Sequence, residues 1–149
     1  MIDLLHYKNN LKIRYDDDSS GVYDVLRRKY VILTPEELVR QLFIQYLLIE
    51  KNISKKLIAI ERQIIVFNNK HRFDLLIFDN EANPLMIIEC KSHNEKISQN
   101  VAIQISRYNI EIKAPYLCIT NGITSLFYQI DFSHDQIIQL QSFPDLLKK

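Results

Sequence analysis

The sequence predicts a mixed α/β fold, a central sheet flanked by helices, and three observations carry that prediction. A capped amphipathic segment follows Thr34, and three runs rich in Ile, Val and Leu come after it. A second amphipathic segment then precedes two further strand-like runs. The order is helix, three strands, helix, two strands, which places helices and strands in one layered domain.

Each element has its own signal. The first 33 residues read as a short extension of strand and loop, with Asp16 to Gly21 (DDDSSG) as its best loop. Thr34-Pro35-Glu36-Glu37 starts the first helix, with Thr34 as N-cap, Pro35 in the first turn and Glu37 at the reciprocal position of a capping box. Leu38, Leu42, Tyr46 and Ile49, with Val39, Phe43 and Leu47, form an apolar stripe that carries the helix to about Lys51. Leu57 to Phe67 reads as a strand, Asn68-Asn69-Lys70 as its turn, and Arg72 to Phe78 and Leu85 to Cys90 as the next two strands. These two are apolar on both faces for most of their length, as central strands under helices are. Ser98 to about Ile112 is the second helix, with Val101, Ile105, Tyr108 and Ile112 on one side. Tyr116 to Thr120, the turn Asn121-Gly122 and a returning strand from Ser125 to Phe132 complete a core of about residues 34–132 within a single domain, 1–149. The tail beyond it has no decisive pattern.

Composition narrows the function classes. A chain of 149 residues with 47% hydrophobic and 25% charged residues has the make-up of a globular domain. No apolar run reaches the roughly 18 residues of a membrane helix, and MIDLLHYKNN makes a poor signal peptide. A cytoplasmic location without membrane partners is the expectation. The two cysteines, Cys90 and Cys118, lie inside apolar runs and read as buried free thiols. A net charge of +1 argues against wholesale electrostatic coating of nucleic acid and leaves room for a local basic patch.

The stretch FDLLIFDNEANPLMIIECKS, Phe73 to Ser92, carries the candidate site. A symmetric turn pairing Asp79 with Pro84 sets Phe78 opposite Leu85, Leu76 opposite Ile87 and Asp74 opposite Glu89. Opposed residues lie about 4.5–5.5 Å apart at Cα, and alternation adds Lys91 to the face of Glu89. The other face, Phe73, Leu75, Ile77, Met86, Ile88 and Cys90, is apolar. Charged side chains are rarely buried unless paired or bound to an ion. Two adjacent carboxylates repel, and a hard divalent cation relieves that repulsion with oxygen ligands and several waters. Lys91 can hold and polarise water beside such an ion, which suits attack on a phosphodiester. An ordinary ion cluster, Lys91 bridging Asp74 and Glu89, accounts equally well for the three residues alone. Their common register favours the metal-dependent nuclease.

Asp74, then Glu89-Cys90-Lys91, then a helix bearing Gln104-Ile105-Ser106-Arg107-Tyr108 resembles the PD-(D/E)XK nuclease superfamily. RRKYVILTPEELVRQ, KHRFDLLIFD, PLMIIECKS, QISRYN and APYLCITNG are similar in turn to the N-terminal nuclease domain of type I restriction enzyme R (HsdR-like) subunits. The resemblance runs from Arg27 to Gly122 and implies a restriction-endonuclease-like αβββαβ core. It implies Mg2+ (or Mn2+) held by Asp74, Glu89 and the Cys90 carbonyl, with Glu37 as a further acidic ligand and Glu36 in reserve. Lys91 would orient or activate water, and Gln104 and Tyr108, one turn apart, would support the site or touch DNA. Phe73 stands where the family motif has proline. The sequence contains no GxxxxGK[ST] phosphate loop and leaves no room for a helicase motor, so a separate motor or targeting subunit is the expected partner beside DNA.

Other residues have plainer readings. Arg72 is expected to salt-bridge, Arg40 and Gln41 to line the same cleft, and His93 to sit exposed in a loop. His6, His71 and His134 form no constellation. Cys90 points to the apolar face, away from any base, which disfavours a cysteine hydrolase. The alternative from another class is a catalytically silent nuclease-fold module that binds DNA or a protein partner.

Overall fold

In a computed structural model, the chain is described over residues 2–16, 19–66 and 68–146. Part of the predicted DDDSSG loop (Asp17 and Asp18) and Phe67 lie outside the described residues.

The N-terminal extension is more structured than its sequence suggests. A 3-10 helix, Leu4–Asn10, precedes a three-stranded antiparallel sheet of β1 (Ile13–Tyr15), β2 (Ser20–Asp24) and β3 (Lys29–Ile32). Then come α1 (Pro35–Ile49), β4 (Ile58–Val66), β5 (Asn69–Phe78), β6 (Pro84–Cys90), α2 (Gln99–Tyr108) and β7 (Tyr116–Thr120), the predicted αβββαβ order. β8 (Ser125–Asp131) follows, and the tail resolves into β9 (Gln136–Leu140). β4 to β9 form one sheet in sequence order. β6 and β7 are parallel and every other pair antiparallel, because α2 carries the chain back across the sheet between them.

α1 starts as its sequence dictates. Thr34 Oγ1 accepts from the Glu37 N–H at 3.1 Å, and Pro35 occupies the first turn. The stripe of Val39, Leu42, Phe43, Tyr46 and Leu47 is buried against Leu75, Ile77, Met86, Ile88, Cys90 and Cys118 on one face of the sheet. Ile49, at the end of the stripe, is exposed. α2 covers the opposite face through Ala102 and Ile105, over Phe73, Leu76, Ile87 and Leu117. It stops at Tyr108, short of the expected Ile112, because the Asn109 side chain turns back to bond both the carbonyl and the N–H of Ala114. Both cysteines are buried free thiols. Among the described residues no helix is long and apolar enough to cross a membrane.

The register deduced for β5 and β6 is present, with Leu76 opposite Ile87 and Ile77 opposite Met86. Two local departures correct the expected alternation. A bulge between Ile77 and Phe78 brings Phe78 opposite Pro84 rather than Leu85. On the other side of β5, the ladder with β4 pairs Ile60 with Leu75 and Arg62 with Phe73 but skips Glu61 and Asp74, and Glu61 has a φ of 50°. Beyond that irregularity Phe73 packs with Leu76 under α2, not with Leu75 under α1 as strict alternation requires.

Candidate active site

Asp74 sits where β5 loses its regular pairing, and its carboxylate is fixed from two sides. Oδ1 accepts from Arg40 Nη2 of α1 at 2.5 Å, and Oδ2 accepts from the Cys90 N–H at 2.6 Å. That second bond takes the place of a ladder pair between Asp74 and Glu89, since the strand pairing ends at Leu75 and Ile88. Glu89 Oε1 accepts from Lys91 Nζ at 2.9 Å. Burial pushes the Glu89 carboxyl above its ordinary value, the negative charges of Asp74 and Glu36 push it further, and Lys91 opposes them. Burial works against the Lys91 ammonium, but the hydrogen bond and charge of Glu89 outweigh it and raise its pKa. Asp74 and Glu89 therefore share one electrostatic site. They approach it from different sides, Asp74 tied to α1, Glu89 and Lys91 facing α2.

On the α2 side lies a cleft of ≈ 190 Å3 lined by Glu89, Lys91, Gln104, Tyr108, Arg72 and His71, among others. It gathers the predicted Gln104 and Tyr108 with Glu89 and Lys91. The His71 ring stacks on the Tyr108 ring, with centroids 3.7 Å apart and planes at 23°. Sequence reasoning missed His71. Its signal was period two, because β5 begins at Asn69 rather than Arg72 and so projects His71 from the strand. Arg72 forms the expected salt bridge, at 3.5 Å to Glu61, and His93 lies exposed in a turn.

On the α1 side the charges form a chain. Asp24 accepts from the N–H groups of Leu26 and Arg27 and from Arg27 Nε. Arg27 reaches Glu37 at 3.1 Å and Glu61 at 3.2 Å. Glu37 in turn accepts from Arg40 Nη1 at 2.5 Å and Gln41 Nε2 at 2.8 Å. Asp74 and Glu37 hold Arg40 charged despite its burial. This corrects one expectation. Glu37 completes no capping box with its side chain, since the Thr34 N–H donates to the Ile32 carbonyl. Its two oxygens accept from Arg27, Arg40 and Gln41, which sets it in the ion-pair chain beside α1. Arg40 and Gln41 stand in this buried chain rather than on the cleft wall. Arg27, in the β2–β3 turn, was not singled out because only tertiary packing brings it to α1.

A divalent cation was the expected cofactor, and part of its donor set fits. Asp74 and Glu89 are hard oxygen donors in one field, and the raised carboxyl of Glu89 is the response a nearby cation would reverse. Glu36, the reserve acid, is half-exposed and close enough to act on both Glu89 and Lys91. Among the described residues no three His, Cys, Asp or Glu side chains converge as a metal-holding group. Asp74 and Glu89 would hold such an ion only with waters completing its shell, as magnesium's often is.

The fold is a mixed α/β domain in which two carboxylates and a lysine lie at the ends of two interior strands, beside a cleft walled by α2. The family model for the type I restriction enzyme R protein N terminus matches residues 35–144. The chain belongs to that family. A solved fragment assigned as an HsdR subunit of a type I restriction enzyme from Vibrio vulnificus YJ016 is similar at 20% identity, with a TM-score of 0.42. The match covers 64% of this chain and 20% of that one, so the present chain spans about a fifth of its length. No match is found among curated proteins.

Proposed function

We propose that this domain is a metal-dependent DNA endonuclease of the PD-(D/E)XK type. The observation that carries the proposal is the pairing of Glu89 with Lys91 in a cleft walled by Gln104 and Tyr108, within the electrostatic reach of Asp74. Asp74, Glu89 and the Cys90 carbonyl would hold Mg2+ or Mn2+, which supplies charge neutralisation and Lewis acidity at a scissile phosphate. The chain's own groups do the rest. Lys91, kept charged by Glu89, orients water and stabilises charge developing on the phosphate. Gln104 and Tyr108 position the backbone against it, and Tyr108 is steadied by the His71 ring. Arg40 and the Cys90 N–H fix the orientation of Asp74. DNA is the substrate, and a separate motor or targeting subunit supplies affinity or direction.

The second reading is a nuclease-fold module that binds without cutting. One observation favours it: Arg40 already neutralises Asp74, so the buried carboxylate has a cation of its own. Plasmid and linear DNA incubated with Mg2+ or Mn2+ separate the two. The nuclease reading expects cleavage by the wild type and its loss in Lys91→Ala. Cleavage undiminished in Lys91→Ala sinks the assignment, and tight binding without cleavage by the wild type establishes the module.

A further inference from the structure

A second pocket lies away from the acidic centre, and its chemistry is opposite. It has a volume of ≈ 290 Å3 and is lined by Lys12, Arg28 and Lys55, with Tyr23, Asn10 and Gln45. The three cations come from separate segments: the approach to β1, the β2–β3 turn and a 3-10 turn, Lys55–Leu57, before β4. No carboxylate lines the pocket, and none of the three cations has an ion-pair partner among the described residues. Three like charges gathered without a counter-ion repel one another, and a bound anion reverses the sign of that interaction.

Gln45 adds a neutral donor to the three cations. It lines the pocket from α1, and its side chain makes no hydrogen bond to any described residue. Its amide can donate to a ligand oxygen in the pocket. The turn that supplies Arg28 is built to present it. Asp24 consumes the N–H groups of Leu26 and Arg27, the Arg28 N–H donates to the Asp24 carbonyl at 2.8 Å, and Arg28 sits at a φ of 56°. Adjacent arginines thus part company, Arg27 joining the acidic chain and Arg28 the basic pocket.

We infer that Lys12, Arg28, Lys55 and Gln45 form a phosphate-binding pocket that takes a non-scissile phosphate of the bound DNA strand. The DNA part of this inference rests on the proposed nuclease reading; the affinity for phosphate does not. A strand held here would be anchored at a distance from the cleft, by contacts that carry no sequence information.

The test has two arms on the full chain. In the first, inorganic phosphate is titrated at constant ionic strength and followed by backbone amide shifts. The wild type is expected to respond at residues 12, 28 and 45, and Arg28→Gln/Lys55→Gln to lose the response. In the second, a DNA duplex is bound without divalent metal across a salt series. Each cation removed is expected to weaken binding several-fold and to lower the slope of log K against log salt by about 1. Single variants of these exposed residues, with unfolding midpoints matched to the wild type, guard against loss of fold. Variants that bind phosphate and DNA as the wild type does overturn the pocket, even if DNA is still cut. A phosphate response without any DNA binding overturns the DNA assignment and the nuclease reading, and leaves a free-anion site.

Discussion

Arg40 offers the sharpest test of how the site is held together. Its side chain is 5% exposed and faces four carboxylates: Asp74 and Glu37 at 2.5 Å, Glu36 at 3.6 Å and Glu61 at 3.7 Å. Arg40→Met keeps most of the stem and removes the charge, leaving the acids to repel one another. Glu37 retains Arg27 and Gln41, and Asp74 retains the Cys90 N–H, so the loss falls at the lower end of that for a broken buried pair, about 3 kcal/mol. Urea unfolding reads this as a lower midpoint at unchanged slope. Mn2+ extends the test. If Asp74 and Glu89 hold a cation, the metal substitutes for the lost guanidinium, and the variant gains more stability from added Mn2+ than the wild type does. A loss under about 1 kcal/mol, or an equal response of both proteins to Mn2+, would refute the reasoning.

Two further substitutions probe the frame. Asp24 is fully buried, and although burial raises its carboxyl, the hydrogen bonds from Arg27 and Leu26 win and hold it below its ordinary 3.8. A lowered folded value means stability that is full above about pH 4 and lost as pH falls through the folded value. Asp24→Asn should therefore cost about 2–3 kcal/mol near neutrality, and its stability should fall less steeply than the wild type's in acid, measured by urea titrations at several pH values. Gly122 has a φ of 87°, and a Cβ there would stand 3.2 Å from Val39 Cγ2 of α1. Gly122→Ala should cost about 1–3 kcal/mol, read as a drop in thermal midpoint.

What the sequence disclosed and what it hid follow from range. Thr34-Pro35 and the stripe after it are local signals, and α1 begins where they say. β7 has its predicted limits, Tyr116–Thr120, because Pro115 and Asn121-Gly122 bracket it. The β5–β6 register was countable because one short turn joins the strands. β3 and β9 were missed because Lys-Tyr-Val-Ile and Gln-Ile-Ile-Gln-Leu are short runs with little buried surface. The side to which Phe73 turns depends on the irregularity at Glu61, a property of the neighbouring strand that β5 alone does not encode. Glu37 shows the remaining gap. A glutamate three residues after a threonine has a sufficient local explanation, and only the fold brings Arg27 and Arg40 to claim it instead.

The parallel step between β6 and β7 bears on the order in which the domain assembles. Leu75 meets Ile88 through a turn of a few residues, whereas Glu89 meets Ile119 only after the chain has travelled thirty residues through α2. Contacts that close long loops form more slowly than those of a local hairpin. During synthesis the carboxylates are thus in place before the helix bearing Gln104 and Tyr108 docks over them. On the nuclease reading, a nascent chain has the charged hairpin but not the wall that grips a strand, and the capacity to cut arrives last.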